Sequence, residues 1–360
     1  MEAFDFAVVG AGIAGVAVAA QIAGRGRTLI LDSEPQAGRH ATGRSAALFT
    51  KLYGNAAVRA LTAASEPFFR NPPPGFSEHP LLAPRACVWI APATESDALP
   101  ALARLHAAVA GGRLLSADEV EARVPILRAG QAAAGLIDEE AADIDVHGLH
   151  GGYVRQARAQ GAVFALDCRL ERAVARGPGW ELQTSRETFA ARTLINAAGA
   201  WADEVAAAAG VAPRGLQPLR RTIVCVDLTE RLDLAACPFT VTVSEDFYMK
   251  TEAGRLLISP ADETPSAPCD AQPEEIDIAV AIDRLETLTH AAVRRVVASW
   301  AGLRTFSHDR SPIVGFDPGA GGFFWLAGQG GFGVQTAPAL SRWAAALLTG
   351  EEPPAAVAGL

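Results

Sequence analysis

Three glycines and one carboxylate outline the first chemistry open to this chain. Gly10, Gly12 and Gly15 stand in Gly10-Ala11-Gly12-Ile13-Ala14-Gly15, directly after the apolar run Phe4–Val9. Asp32 ends the next apolar run, Thr28–Leu31. A dinucleotide needs a backbone turn close to its pyrophosphate, helix N-terminal amides facing the charge, and a carboxylate near the ribose hydroxyls. Gly10 allows the turn, Gly12 offers no side chain to strike the phosphates, and Gly15 lets the helix lie on the strand. With a strand before, a helix after and the acid in place, the spacing predicts a nucleotide site. The glycines alone would suit an ordinary turn equally well.

Further elements must hold that turn in place. The small-residue run His40–Ala47 is followed by a predicted helix over 56–69, which Asn71-Pro72-Pro73-Pro74-Gly75 cannot continue. A strand is read over 85–91 and helices over 98–110 and 117–123. Another helix runs through Tyr153 to Ala159. Strands follow around 163–166 and 180–184, and Thr193–Gly199 reads as a strand ending in small residues, with a helix over 202–209. Alternation over 222–226 and 239–243 predicts antiparallel sheet, with a turn at Glu252-Ala253-Gly254. After a helix over 276–288, the strand Phe323–Gly328 enters Gly330-Gly331-Phe332-Gly333, and a helix follows over 337–348.

Strand-to-glycine-to-helix transitions therefore fall at the start, the middle and near the end. The fold expected is α/β: a Rossmann-like nucleotide domain assembled from the discontinuous segments 1–50, 140–215 and 300–360. The inserts 51–139 and 216–299 are expected to form an α+β cap built on an antiparallel sheet.

Composition narrows the class. The chain has 360 residues, half of them apolar and a fifth charged, with a formal charge of −9. That suits a large α/β protein and argues against nucleic acid or an anionic membrane as its main partner. The apolar stretch from Phe6 to Ala23 contains glycines and follows Asp5 rather than a basic leader, so it reads as the nucleotide unit and not as a membrane span. The five cysteines and seven histidines lack metal-ligand spacing. A metal-free cytoplasmic enzyme with reduced thiols is expected.

The late loop helps to choose the nucleotide. Gly330-Gly331-Phe332-Gly333-Val334-Gln335-Thr336 opens a helix, and N-terminal amides there would stabilise negative charge on the pyrimidine edge of a reduced flavin. Taken with Asn196-Ala197-Ala198-Gly199 and the first fingerprint, this favours FAD over NAD.

The same stretches, with Thr42-Gly43-Arg44-Ser45-Ala46-Ala47 and Trp300-Ala301-Gly302-Leu303-Arg304, resemble the D-amino-acid oxidase and glycine oxidase superfamily. Within it the chain most resembles the bacterial D-arginine dehydrogenases, also through Arg59-Ala60-Leu61-Thr62-Ala63-Ala64-Ser65 and His79-Pro80-Leu81-Leu82. The resemblance spans nearly the whole chain. It implies FAD held by Gly10, Gly12, Ile13, Ala14, Gly15, Asp32, Ser33, Thr42, Gly43, Arg44, Ser45 and Ala46. Further cofactor contacts are implied at Ala198, Gly199, Trp201, Gly302, Gly330, Gly331, Gly333, Val334, Gln335 and Thr336.

An amino-acid substrate needs a cation for its carboxylate, and the planar fork of arginine grips both oxygens. By resemblance Arg221 and Arg304 face the substrate with Tyr248, Tyr53 sits on a lid, the Gly331 carbonyl holds the amine, and Gln335 lines the pocket. Cys87 and Leu48 replace a carboxylate and a histidine of the dehydrogenases, so a neutral, apolar substrate side chain is expected. Lys51 opens the competing expectation of an acidic one. The activity implied is oxidative deamination of a D-amino acid. The rivals are oxidation of glycine or a secondary amine (sarcosine or proline), and a flavin-binding subunit without turnover. Oxygen, a quinone or another carrier is left as the electron acceptor.

Overall fold

The computed structural model describes residues 2–357 except 231, 233, 235 and 236. The outermost positions of the expected segments 1–50 and 300–360, and those four within 216–299, lie outside the described residues.

In chain order the elements begin with β1 (Glu2–Val9), α1 (Ile13–Ile22), β2 (Thr28–Leu31), β3 (Leu48–Phe49) and α2 (Ala56–Arg70). A first insert holds β4 (Leu82–Pro84), β5 (Cys87–Pro92), α3 (Ala98–Ala108), β6 (Arg113–Ser116), α4 (Ala117–Arg123), β7 (Ala132–Asp138) and β8 (Ala142–Ile144). Next come α5 (Val146–Ala159), β9 (Val163–Ala165), β10 (Leu170–Arg176), β11 (Gly179–Thr184), β12 (Thr188–Asn196) and α6 (Ala202–Ala208). A second insert holds β13 (Gln217–Leu228), β14 (Phe239–Thr242), β15 (Tyr248–Glu252), β16 (Arg255–Ser259), β17 (Thr264–Pro265), α7 (Glu275–Leu288) and β18 (Val293–Phe306). The chain closes with β19 (Ile313–Phe316), β20 (Phe323–Ala327), β21 (Gln329–Gly330) and α8 (Gly333–Thr349).

Helix starts follow local chemistry. The Asn55 side chain accepts from Val58 N at 3.0 Å, capping α2, and Ser116 with Glu119 forms a capping box on α4. Asp145 accepts from Gly148 N at the start of α5. The last helix begins at Gly333, earlier than its sequence suggests, and carries Pro338 inside it. Proline disrupts the ladder there. The neighbouring Ala339 N–H is taken by Ser65 Oγ of α2 at 3.0 Å, which patches the break.

Two large sheets divide the work. In the first, β12, β1, β2 and β9 run parallel in that order, with β20 parallel to the end of β12 and β11 antiparallel to its start. Helices α1, α5 and α8 share a core beneath it, through residues such as Val16, Leu149 and Leu340. The second sheet is mostly antiparallel, in the order β21-β18-β13-β16-β15-β14-β5-β7-β6. The expected boundary at residue 300 falls inside β18, an unbroken strand of 14 residues, so Trp300–Phe306 belong with the second sheet. A short third sheet, β3-β8-β4, brings the segment before Tyr53 together with the first insert.

Among the described residues no helix is long and apolar enough to cross a membrane. Likewise no group of three His, Cys, Asp or Glu side chains could hold a metal.

Candidate active site

The crevice opens where β1 has β2 on one side and β12 on the other, a topological switch point at the carboxyl ends of parallel strands. Gly10 turns there with φ +109°, and a Cβ would lie 2.4 Å from Ala197 O on the neighbouring strand end. Only glycine tolerates both constraints. A Cβ on Gly15 would lie 1.8 Å from Gly10 O, so α1 rests directly on the turn. Thr42 Oγ1 accepts from Ile13 N at 3.0 Å and satisfies one helix-end donor. Asp32 accepts from Ala11 N at 2.6 Å and Glu34 N at 2.8 Å. Its carboxylate thus braces the loop as well as facing the crevice.

The cavity that begins at this turn has a volume of about 880 Å³ and runs on to the second sheet. Its wall includes Gly10, Gly12, Ile13, Ala14, Asp32, Ser33, Thr42, Arg44, Ser45, Ala46, Ala198, Gly199 and Trp201. Gly302, Gly330, Gly331, Gly333 and Val334 complete it from the far side. Cofactor pockets of roughly 300–1,000 Å³ are usual. The bare turn, the α1 amides behind it and the carboxylate at its far lip fit FAD.

The substrate end is a face of the second sheet. Pairing sets Arg221 opposite Gly302, with Arg304 two residues further along β18, so both guanidinium groups rise on one face. The same register carries Ile223 across β16 to Tyr248. Arg221, Ile223, Tyr248 and Arg304 all line the cavity. Arg221 is only 6% exposed, and its Nε donates to Asp262 O at 2.8 Å. Among the described residues no carboxylate lies within ion-pair distance of Arg304; its Nη1 donates weakly to Tyr53 Oη at 3.5 Å. Among the described residues Tyr248 Oη is buried without a hydrogen-bond partner, as is Thr305 Oγ1 on β18. Such groups are costly unless a ligand satisfies them. Gly331 makes room for this arrangement, since a Cβ would lie 2.9 Å from Arg304 Cζ.

Tyr53 is not among the cavity-lining residues; it packs edge-on against Phe332, with centroids 4.8 Å apart, and reaches the site only through its contact with Arg304. Burial pushes its phenol above the usual range and Glu245 adds to this, while Arg304 and Arg221 pull the other way. It therefore stays protonated at neutral pH.

Several expected residues stand elsewhere. Gln335 does not line the cavity: it is 3% exposed and donates to Thr62 Oγ1 at 2.9 Å, between α2 and α8. Thr336 is likewise buried, donating to Phe332 O at 2.9 Å. The helical turn that brings Gly333 and Val334 to the cavity rotates both away from it. Gly15 and Gly43 act behind the wall, Gly43 N–H closing a turn on Gly38 O at 2.8 Å. Leu48 and Cys87 pack in the core that also holds Tyr248 and Trp89, behind the cavity surface. Burial pushes the Cys87 thiol well up, and Asp138 adds to it, so it is an inert side chain. Lys51 is spent on Glu66 at 3.2 Å and Glu140 at 2.8 Å and offers no free charge to a substrate.

Some wall residues escape a reading of motifs. Ile223 faces the cavity because it stands two residues from Arg221 on the same face of β13, and Leu303 and Thr305 also line it from β18. A strict alternation count around Arg221 would have found Ile223. Arg44 also reaches out of the cofactor loop, donating to Ala271 O and Ala301 O at 2.9 Å each and pairing with Asp270. It ties the cofactor loop to the second sheet.

A switch-point crevice ending on an arginine-bearing antiparallel sheet defines a flavoprotein oxidoreductase. Residues 5–347 match the DAO family of FAD-dependent oxidoreductases; the chain belongs to that family, and FAD is its cofactor. Glycine oxidase of Pseudomonas aeruginosa is 27% identical over 372 residues, covering 96% of this chain and 95% of that enzyme. The crystal structure of glycine oxidase from Geobacillus kaustophilus matches with a TM-score of 0.84 at 20% identity, over 98% of this chain and 96% of that one. L-proline dehydrogenase from P. horikoshii gives a TM-score of 0.83 at 16% identity, over 97% and 94%.

Proposed function

We propose that the protein oxidatively deaminates a D-amino acid with a neutral or apolar side chain. One observation carries the reading: among the described residues Arg304 presents a guanidinium to the cavity without a carboxylate partner, near Arg221 and a Tyr248 hydroxyl that has no hydrogen bond. These groups suit one carboxylate, gripped by two cations and one phenol. In this reading residues 1–50, 140–215 and the chain after β18 hold the cofactor, and the inserts with β18 hold the substrate.

Arg221, Arg304 and Tyr248 anchor the carboxylate, while the Gly331 carbonyl accepts from the amine and orients the α-carbon. Fixing both ends converts an encounter into a near-attack arrangement. Tyr53 and Phe332 shield the site from water. FAD, when bound, supplies the acceptor for the α-hydride. The resulting imino acid is hydrolysed by water to a 2-oxo acid and ammonia. The apolar contacts available to a side chain come from Ile223 and Ala46. The D configuration rests on the sequence resemblance.

Glycine or a secondary amine is the second reading, favoured by the likeness to glycine oxidases, since the same clamp would hold either carboxylate. An anaerobic panel of D-amino acids, glycine, sarcosine and proline, scored by bleaching of the flavin, separates the two. Arg221→Met is expected to keep flavin and lose reduction by substrate; full turnover in that variant refutes the clamp. Bleaching by none of these compounds would leave a binding subunit.

A further inference from the structure

We propose that Glu263, held between Arg221 and Arg310, sets the net charge of the clamp and so restricts the substrate to a single carboxylate. The inference deepens the reading above and rests on its assignment of Arg221 and Arg304 to the carboxylate.

Glu263 Oε1 lies 3.3 Å from Arg221 Nη2 and 2.6 Å from Arg310 Nη2. The same Arg221 gives its Nε to Asp262 O. One edge of the guanidinium is thereby occupied by two consecutive residues, and the other edge is left for a ligand. Arg310 extends over the Phe306 ring at 4.1 Å, next to the end of β18.

The backbone around this network is strained. Arg310 has φ +62°, Glu245 +54° and Ala261 +49°, a region that residues other than glycine rarely adopt. All three flank the clamp: Ala261 leads into Asp262 and Glu263, and Glu245 interacts electrostatically with Arg221, Arg304, Glu263 and Arg310. Strain of this kind persists where surrounding structure imposes it, and it clusters at ligand clamps.

Glu263 is the carboxylate that pairs with both Arg221 and Arg310, so with it in place the charge of both cations is partly neutralised beside the clamp. A second substrate carboxylate finds no free cation, because Lys51 is already spent on Glu66 and Glu140. Replacing Glu263 by a neutral residue adds one unit of positive charge there and frees Arg310, which a dicarboxylate can use. Glu263 acts through the arginines and is a positioning residue.

The flavin-loaded protein is compared with Glu263→Gln, Glu263→Asp and Arg310→Gln. Two readouts are taken: anaerobic flavin reduction by D-alanine and D-aspartate, and flavin absorbance titrations with the redox-inert anions acetate and malonate. Glu263→Gln is expected to raise the preference for malonate over acetate, and for D-aspartate over D-alanine, by about tenfold. Glu263→Asp keeps the parent preference. Arg310→Gln works in the opposite sense, weakening acetate binding and raising KM for D-alanine with little change in the limiting reduction rate. Unchanged anion preference in Glu263→Gln, or an Asp variant that behaves like Gln, overturns the proposal. Should Glu263→Gln not fold, unchanged acetate affinity in Arg310→Gln overturns it alone. If no amine bleaches the parent flavin, the deaminase reading fails, and the anion titrations still decide the role of Glu263.

Discussion

The two ends of the cavity are made of different material. At the cofactor end the wall is backbone: Gly10 turning under Ala197, α1 pressed onto that turn through Gly15, and Thr42 capping Ile13 N. At the substrate end it is side chain: guanidinium and phenol groups on a sheet face, with Arg304 and Tyr248 short of partners. The first end is made mostly of backbone whose hydrogen bonds are met within the loop. The second stores unmet hydrogen-bonding capacity that a ligand can release. Damage to the first should therefore remove the cofactor, whereas damage to the second should spare the cofactor and remove the chemistry.

The harshest test of that contrast is Gly15→Val. A side chain placed 1.8 Å from Gly10 O must push α1 off the turn, costing ~3 kcal/mol or more. Purified protein should be colourless and melt early; a yellow variant of normal stability would erase the distinction. Arg304→Met should retain a full flavin spectrum and lose about a thousandfold in kcat/KM, or ~4 kcal/mol of transition-state binding. Flavin loss there would show that the two ends are not separable. Tyr248→Phe removes one hydrogen bond and should cost about tenfold in KM, read from flavin reduction at rising substrate.

Smaller effects sharpen the cofactor end. His150 Nε2 contacts Ala11 O at 2.9 Å. Burial lowers its pKa, although the Ala11 carbonyl works against this. The unfolded chain therefore takes up a proton first, near the ordinary value of about 6.5. Stability present above that pH should drain as pH falls through it towards the lower folded value. His150→Gln should flatten the decline, as read by melting temperature at pH 5 and 7.5. Gln335→Leu should leave substrate kinetics unchanged and cost only ~1 kcal/mol of stability; a large loss of kcat would return Gln335 to the pocket.

The same contrast explains what was legible beforehand. Backbone demands leave marks in the sequence, because only glycine accepts a turn such as that at Gly10, and caps such as Asn55, Ser116 and Asp145 announce helix starts. Side-chain faces leave fewer marks. The strand β18 buries one end and exposes the other, so Val293-Arg294-Arg295-Val296 shows no clean alternation, and the whole element is hard to see. Gln335 illustrates phase: one residue along a helix turns a group by about 100°, and nothing local fixes where α8 starts. Cys87 and Leu48 illustrate depth, because a residue can belong to the right sheet face and still lie under another side chain. Glu263 and Arg310 are distant in sequence and meet only after β13, β17 and β18 assemble.

The interleaving of the first sheet has a consequence for synthesis. β1 leaves the ribosome before its partners, since one flank waits for β12, and β12 in turn waits for β20. The α8 turn that closes the crevice comes later still. A growing chain must therefore carry its glycine-rich β1–α1 unit half-covered until those later strands follow. Truncation before Gly333 would leave a hydrophobic fragment for chaperones rather than a smaller flavoprotein.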